Sequence, residues 1–319
     1  MTEQNQTSLQ ITEFFIVCFP DLQDWQSQAI LFAIFSVAYI IALLGNLLFI
    51  MTVLSDYMLH TPMYILICNL AVLDICIPSV TVPSMLSHFV LSNRLVAFSA
   101  CFIQMILYLG LGTTESFTLM IMAYDRYYAI CKPLHYPSVM TNRKAIQLSV
   151  VCWIVGMMAP IIPFYFSLKL PFCGPYKVHH CFCDYAAVVK LACADVSFLV
   201  DFGLIIALLV LLIPLFFIIL SYTKIIMTLL KMSTSEGHWK AFSTCASHLF
   251  VISIFILVAV FVFVSYKTFD FSEDVRILGA VLQNIFPPMV NPIIYCLRTK
   301  EIRDSFFRTI KNTTLFPKV

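Results

Sequence analysis

Charged side chains are scarce in this chain. Asp, Glu, Lys and Arg make up 11% of its 319 residues, whereas a soluble globular domain carries about 25%. Hydrophobic residues make up 61%, which is more apolar surface than a water-soluble fold could bury. These proportions exclude an ordinary soluble domain and indicate a protein whose solvent is the lipid bilayer.

Other features are missing as well, and each absence bears on a class of protein. There is no basic run and the net charge is only +2, so we expect no nucleic acid partner. No flexible linker, low-complexity tract or solenoid repeat divides the chain, which favours one domain. No nucleophile–base set suggests an enzyme. A transporter or channel is the alternative, although we find neither an internal repeat nor a continuous path of buried charges.

Seven apolar runs are long enough to cross a bilayer, which takes about 20 helical residues. They cover residues 28–54, 62–86, 100–124, 146–168, 197–223, 246–266 and 276–297. In the first four spans the only charges are Asp74 and Glu115. The predicted fold class is therefore an all-α membrane protein, a seven-transmembrane helix bundle.

The basic residues predict the orientation of this bundle. Of the 19 Lys and Arg residues, 13 follow one face of the membrane and 6 the other, and the richer face is cytoplasmic. This gives an extracellular tail over 1–27, the seven-span domain over 28–297 and a cytoplasmic tail over 298–319.

The start of the chain lacks a basic stretch, so we expect the first span to be an uncleaved signal anchor. We also expect a glycan on Asn5 and a short amphipathic helix after the seventh span.

Six of the 12 cysteines face the oxidising side in this topology, and four of these lie in one long loop at about 169–196. The six are Cys18, Cys101, Cys173, Cys181, Cys183 and Cys193. Because extracellular thiols oxidise readily, we expect disulfide bonds that tie the loop down. The run from His179 to Cys183 also resembles a metal-ligand cluster, an alternative that we disfavour for the same reason.

The run MAYDRYYAICKPLHY at 122–136 closes the third span at the cytoplasmic face. Adjacent Asp125 and Arg126 can hold each other at a helix end, and opening the pair would present Arg126 to a partner. On the charges alone, an ordinary interfacial ion pair would be the simpler interpretation. The surrounding residues, however, resemble the odorant receptor family of rhodopsin-like (class A) G protein-coupled receptors. So do Gly45-Asn46, LHTPMY at 59–64, NLAVLD at 69–74, Ser221-Tyr222, KAFSTCASHL at 240–249 and PMVNPIIYCLR at 288–298.

The resemblance covers essentially the whole chain, and a non-olfactory small-molecule receptor of the same fold is the alternative within it. It implies an odorant receptor that binds a small, mostly apolar odorant within the bundle and activates a stimulatory, olfactory-type heterotrimeric G protein to raise cyclic AMP. It also implies the plasma membrane, in sensory cilia of olfactory neurons, as the location. The chain departs from the family pattern at three positions: Tyr128 is usually a small aliphatic residue, Ile256 is Tyr in many members, and Cys181 is an additional loop cysteine.

Disulfide pairs and switch residues follow from the same resemblance. It implies the bridges Cys101–Cys183 and Cys173–Cys193, and leaves Cys181 either free or paired with Cys18. The implied coupling and switch residues are Asp125, Arg126, Tyr222, His248, Asn291, Pro292 and Tyr295, with the 224–240 segment on the same cytoplasmic face. Pro292 removes a backbone hydrogen bond and loosens the helix beside Tyr295, which suits a switch. For His248 we favour a structural role in the inactive packing over pH sensing or metal binding.

The two acidic residues inside the membrane need a partner, because a carboxylate buried in a bilayer is costly. Glu115 precedes Arg126 by eleven residues, about three helical turns, so both share the face that points into the bundle. The family has acids at the positions of Asp74 and Glu115, facing each other and able to hold a sodium ion. We expect a sodium ion or a shared proton there. The alternative is that each acid is satisfied by its own hydrogen bonds.

The family's ligand site lies between the third, fifth and sixth helices, under the long loop. The residues expected to face it are Tyr108, Leu109, Gly112, Thr113, Gly203, Ile206, Ala207, Ile256, Ala259, Phe263 and Lys267. This wall is apolar apart from Tyr108 and Thr113, which suits a compact hydrophobic odorant with one polar group. Lys267 has two interpretations. It could hold an acidic ligand, or it could extend to water beside nearby acids such as Asp270, Glu273 or Asp274, which we favour.

Overall fold

The computed structural model describes residues 12–90, 94–174, 176–231, 249–262, 271–298, 301–305 and 308. Within these residues all seven predicted spans are helical, and six of them are long and apolar enough to cross a membrane. The spans are α1 (Trp25–Ser55), α2 (Pro62–Val90), α3 (Phe98–Cys131), α5 (Asn142–Met158) with α6 (Ile161–Ser167), α8 (Ser197–Leu229), α9 (Leu249–Val262) and α10 (Glu273–Arg298). The shorter elements are β1 (Glu13–Ile16), β2 (Leu95–Ala97), α4 (Tyr136–Val139), β3 (Lys177–Val178), α7 (Tyr185–Val189) and a helical turn, α11, over 301–305. The predicted helix-bundle fold is confirmed.

Helices α3 and α8 continue beyond the predicted ends of their spans. They contain 34 and 33 residues, which corresponds to about 50 Å each, whereas the hydrocarbon core is about 30 Å thick. Hydropathy detects only the part of a helix that lies in lipid. The additional turns of α3 carry Asp125 and Arg126 at the cytoplasmic end.

The predicted fourth span is not one continuous helix. Helix α5 ends at Met158 and α6 begins at Ile161. Pro160 has no backbone N–H to continue the helical hydrogen bonding, although the Ala159 N–H still donates to the Val155 carbonyl at 3.1 Å. The break leaves Ala159 and Pro160 facing the interior of the bundle, where both line a cavity.

Helix α3 is the centre of the bundle, since α2, α5 and α8 all pack against it. Its close approach to α5 depends on glycine. A Cβ atom on Gly156 would overlap the Thr114 side chain, and one on Gly110 would meet the Met157 sulfur at 2.7 Å. Small residues allow helix backbones to come together where no hydrophobic effect drives them.

The outer surface of the bundle is apolar. Ile34 on α1, Ile154 on α5 and Phe216 on α8 are each more than half exposed. Such a surface would cause aggregation in water, but it is the surface that lipid requires. On the cytoplasmic side, the short turn α11 buries Ile302 and exposes Arg303 and Asp304, as expected of an amphipathic helix.

A three-stranded sheet covers the extracellular end. Strand β1 of the N-terminal tail lies in the middle, antiparallel to β2 and parallel to β3 of the long loop. Phe14 points inward from β1 and stacks on Phe98 at 5.7 Å between ring centroids. We did not predict this sheet, because Glu13–Ile16 is too short for a strand pattern to be recognised.

Three disulfide bonds fasten this cover: Cys18–Cys181, Cys101–Cys183 and Cys173–Cys193. The last two are the pairs that the resemblance implies. Of the two outcomes left open for Cys181, the structure shows the pairing with Cys18. Since Cys181 and Cys183 are both in bridges, neither is a thiolate ligand for a metal. The N-terminal tail is therefore bonded covalently to the long loop.

Candidate functional site

A cavity of about 460 Å³ lies in the outer half of the bundle. Its walls come from α3, α8, α9 and α10, with the Ala159–Pro160 break on one side and α7 of the long loop above. Most of the lining is apolar. The volume and the lining are those of a small-molecule site, for which cavities of about 300–1,000 Å³ are usual.

Most of the residues predicted to bind ligand lie at this cavity. Those in the lining are Tyr108, Leu109, Gly112, Thr113, Gly203, Ile206, Ala207 and Ala259. Gly112 faces open space, since an added Cβ would meet no atom within 4 Å. The Thr113 hydroxyl donates to the Leu109 carbonyl of its own helix at 2.8 Å, so towards a ligand it acts as an acceptor.

Of the residues predicted to bind ligand on α9, Ala259 lines the cavity, whereas Ile256 is not in its lining. Ile256 packs against the buried cluster in the cytoplasmic half of the bundle. Phe255 and Val262 line the cavity together with Ala259 instead. Phe263 and Lys267 lie outside the described residues, and the two interpretations of Lys267 therefore stand as they were.

The long loop contributes a part of the site that sequence reasoning missed. Asp184 accepts hydrogen bonds from the N–H groups of Ala186 and Ala187 at 3.0 and 3.1 Å and so begins helix α7. This turn brings Tyr185 and Lys190 to the cavity, with the Tyr185 ring packed against Gly203. An Asp before a short apolar stretch is a known N-cap pattern and could have located this helix.

The segment 180–183 of the long loop packs against the extracellular part of α3. Phe182 packs edge-on against Tyr108 at 5.1 Å between ring centroids, and the Cys183 N–H donates to Gln104 Oε1 at 2.9 Å. His180 is buried beside Phe182. Burial lowers the pKa of His180 below its ordinary value, so the ring is neutral at pH 7. His179, by contrast, is exposed and pairs with Glu273 at 2.8 Å.

The α10 wall contains two polar residues, Gln283 and Asn284, that were also missed. They are adjacent amides in the middle of the seventh span. Hydropathy alone does not say which face of a helix points inward, and for that reason they were not assigned to the site.

The two intramembrane acids are both buried. Asn291 Nδ2 donates to Asp74 Oδ2 at 2.9 Å, while Asp74 Oδ1 has no hydrogen-bond partner among the described residues. Asp74 lies on α2 and Glu115 on α3, and these two helices pack against each other. Glu115 also lines the floor of the cavity. These groups fit a site for a cation or a shared proton.

The cytoplasmic end of α3 is in a closed arrangement. Arg126 forms an ion pair with Asp125, and both are buried. The Tyr136 hydroxyl donates to Asp125 Oδ1 at 2.8 Å, so a second group holds the same carboxylate. Tyr222 and Tyr295 are buried nearby in one cluster.

The remaining predicted positions divide between the bundle and the undescribed residues. Pro292 lies against Gly45, where an added Cβ would come within 2.9 Å of its ring. Asn5, His248 and residues 232–240 of the coupling segment lie outside the described residues.

Comparison with known proteins agrees with this arrangement. The sequence model of the olfactory receptor family matches residues 35–313. Olfactory receptor 6N1 of Homo sapiens is 38% identical over 95% of this chain and 96% of its own length. Olfactory receptor 6B9 of Mus musculus is 40% identical over 94% of each chain, and Olfactory receptor 6B1 of Homo sapiens is 40% identical over 96% of each. The chain therefore belongs to the olfactory receptor family, as a multi-pass membrane receptor and not an enzyme.

Proposed function

We propose that this protein is an odorant receptor of the plasma membrane, in the sensory cilia of olfactory neurons. A small, mostly apolar molecule binds in the cavity, and a stimulatory, olfactory-type heterotrimeric G protein is activated to raise cyclic AMP. The observation that carries this proposal is that a single helix, α3, contributes residues both to the cavity and to the cytoplasmic ion pair. Gly112 of α3 faces the cavity, and Arg126 of the same helix lies at the cytoplasmic end, about 20 Å away along the axis.

The mechanism is a shift between two populations of the bundle. The closed pair of Arg126 and Asp125 belongs to the inactive state. A ligand that binds better when α3, α8 and α9 are rearranged favours the state in which the pair opens. The released Arg126, together with Tyr222 and the 224–240 segment, forms the face that receives the G protein.

A screen with a cyclic-AMP readout tests this function. Cells that express the receptor and the olfactory-type α-subunit are exposed to a broad panel of volatile apolar compounds. We expect dose-dependent responses that are absent from untransfected cells. Nucleotide exchange on the purified G protein, catalysed by the purified receptor, would show direct coupling. Solute flux through receptor-containing liposomes without such exchange would instead indicate a transporter or channel.

We further propose that Asp74 and Glu115 hold a sodium ion or share a proton in the inactive state. The support is that Asp74 Oδ1 has no hydrogen-bond partner among the described residues, while a second buried acid lies on α3, the helix that packs against α2. If sodium is bound, replacing extracellular choline by sodium should weaken agonist potency by about 5-fold or more, since coupling between two sites is typically about 1–3 kcal/mol. Asp74→Asn should abolish this dependence. Potency that ignores sodium in both proteins would exclude the ion and leave the shared proton.

A further inference from the structure

One buried polar group in the cavity wall has no role in the switch or the cation site. Asn284 of α10 is only 2% exposed and lines the cavity. Its Nδ2 donates to the Ala280 carbonyl at 3.1 Å, but its Oδ1 has no hydrogen-bond partner among the residues that the structure describes. Native proteins leave few buried polar atoms in this condition, because each is destabilising.

The orientation of this amide is fixed by its other bond. If the amide were flipped, Oδ1 would face the Ala280 carbonyl oxygen, and two acceptors would repel each other. Oδ1 is therefore the amide atom that lacks a hydrogen-bond partner among the described residues.

Two hydroxyl groups at the cavity are already engaged. The hydroxyls of Thr113 and Ser116 donate to the carbonyls of Leu109 and Val210, at 2.8 and 2.9 Å. Glu115 belongs to the proposed cation or proton site. Tyr108 of α3 lines the same cavity and offers a hydroxyl donor.

We propose that Asn284 is a specificity-determining residue whose Oδ1 accepts a hydrogen bond from the ligand. The ligand class is then compact apolar alcohols and phenols. Their hydroxyl donates to Asn284 and can accept from Tyr108. An ether of the same shape can accept from Tyr108 but leaves Asn284 Oδ1 buried and unpaired. This inference deepens the proposed function and rests on it.

Isomeric pairs of compounds provide the test. Suitable probes are octanol with methyl heptyl ether, para-cresol with anisole, and phenethyl alcohol with benzyl methyl ether. In each pair the atoms are the same and only the hydrogen-bond donor is lost. For the wild-type receptor we expect the hydroxyl compounds to be about 10- to 100-fold more potent in the cyclic-AMP assay, the range that an unpaired buried acceptor produces.

Two variants distinguish the effect of the Asn284 acceptor from that of the Tyr108 donor. Asn284→Leu, of similar size, should bring the two members of each pair to within about 3-fold, with the hydroxyl compounds losing potency. Tyr108→Phe removes a donor that either kind of oxygen can use, so it should weaken both members alike and preserve their order. Surface expression is measured throughout, and Asn284→Ala replaces Asn284→Leu if the leucine variant does not reach the membrane.

Each contrary result has a distinct meaning. Wild-type responses that do not favour hydroxyl compounds, or a preference that survives in Asn284→Leu, would overturn the role of Asn284 and leave the receptor function intact. A receptor that responds to compounds of the broad screen but to no alcohol or phenol would likewise overturn the role of Asn284 and leave the receptor function intact. A well-expressed receptor that answers nothing in either panel would overturn the inference and the proposed function together.

Discussion

Replacing Gly112 by Phe should abolish the response to every agonist while the receptor still reaches the cell surface. The new side chain has room to enter the cavity, because a Cβ at this position meets no atom within 4 Å. A ligand that loses about 110 Å² of buried apolar contact loses about 2.8 kcal/mol, or about 100-fold in affinity. Cyclic-AMP dose–response curves and surface labelling measure the two quantities.

Two further substitutions establish that occlusion is the cause. Gly112→Ala adds only a methyl group to the same open space and should respond nearly as the wild type does. Gly110→Phe would meet Met157 and separate α3 from α5, so it should reduce surface expression. If Gly112→Phe is well expressed and keeps its responses, the ligand does not bind in this cavity.

Arg126→Ala should abolish G protein activation without abolishing agonist binding. Arg126 is the charged group that the open state would present to the partner, and alanine has nothing to offer in its place. Its loss also leaves the buried Asp125 with the Tyr136 hydroxyl as the hydrogen-bond partner described here, so some loss of expression is expected. Agonist-stimulated nucleotide exchange should fall to the level of cells without receptor, when normalised to surface receptor.

Arg126→Lys and Tyr136→Phe are the matched variants. Lysine keeps the charge but not the planar guanidinium fork, so it should retain part of the signal. Tyr136→Phe removes one of the two groups that hold Asp125 and should raise basal cyclic AMP several-fold, since a hydrogen bond to a charged group contributes about 1.5–3 kcal/mol. Full signalling by a well-expressed Arg126→Ala receptor would contradict the role given to this pair.

The parts of the fold that could be predicted are those that depend on local composition. A run of about 20 apolar residues must span the bilayer whatever its neighbours are. For the site, the family resemblance indicated which helices form the walls, and span depth with helical spacing then selected positions such as Gly112 and Gly203. The break at Pro160 was missed because hydropathy is continuous across it.

What could not be predicted depends on how separate segments meet. The cavity lining contains Phe255 in place of Ile256 because the rotation of α9 about its axis is set by packing and not by its own residues. Asn284 was missed for a similar reason: α10 contains Pro287, Pro288 and Pro292, which make helical phase a poor guide. The strand at Glu13–Ile16 exists only because two distant loops supply its hydrogen-bonding partners.

The bond between Cys18 and Cys181 has a consequence for the order in which the molecule is made. The two cysteines are 163 residues apart, whereas Cys173 and Cys193 are separated by 20. At a synthesis rate of about 5–20 residues per second, Cys18 precedes its partner by roughly 10–30 s. Four spans are translated during that interval. The first segment to be made therefore waits for four spans before its partner exists, and the tail can be bonded to the long loop while α8, α9 and α10 are still to be synthesised.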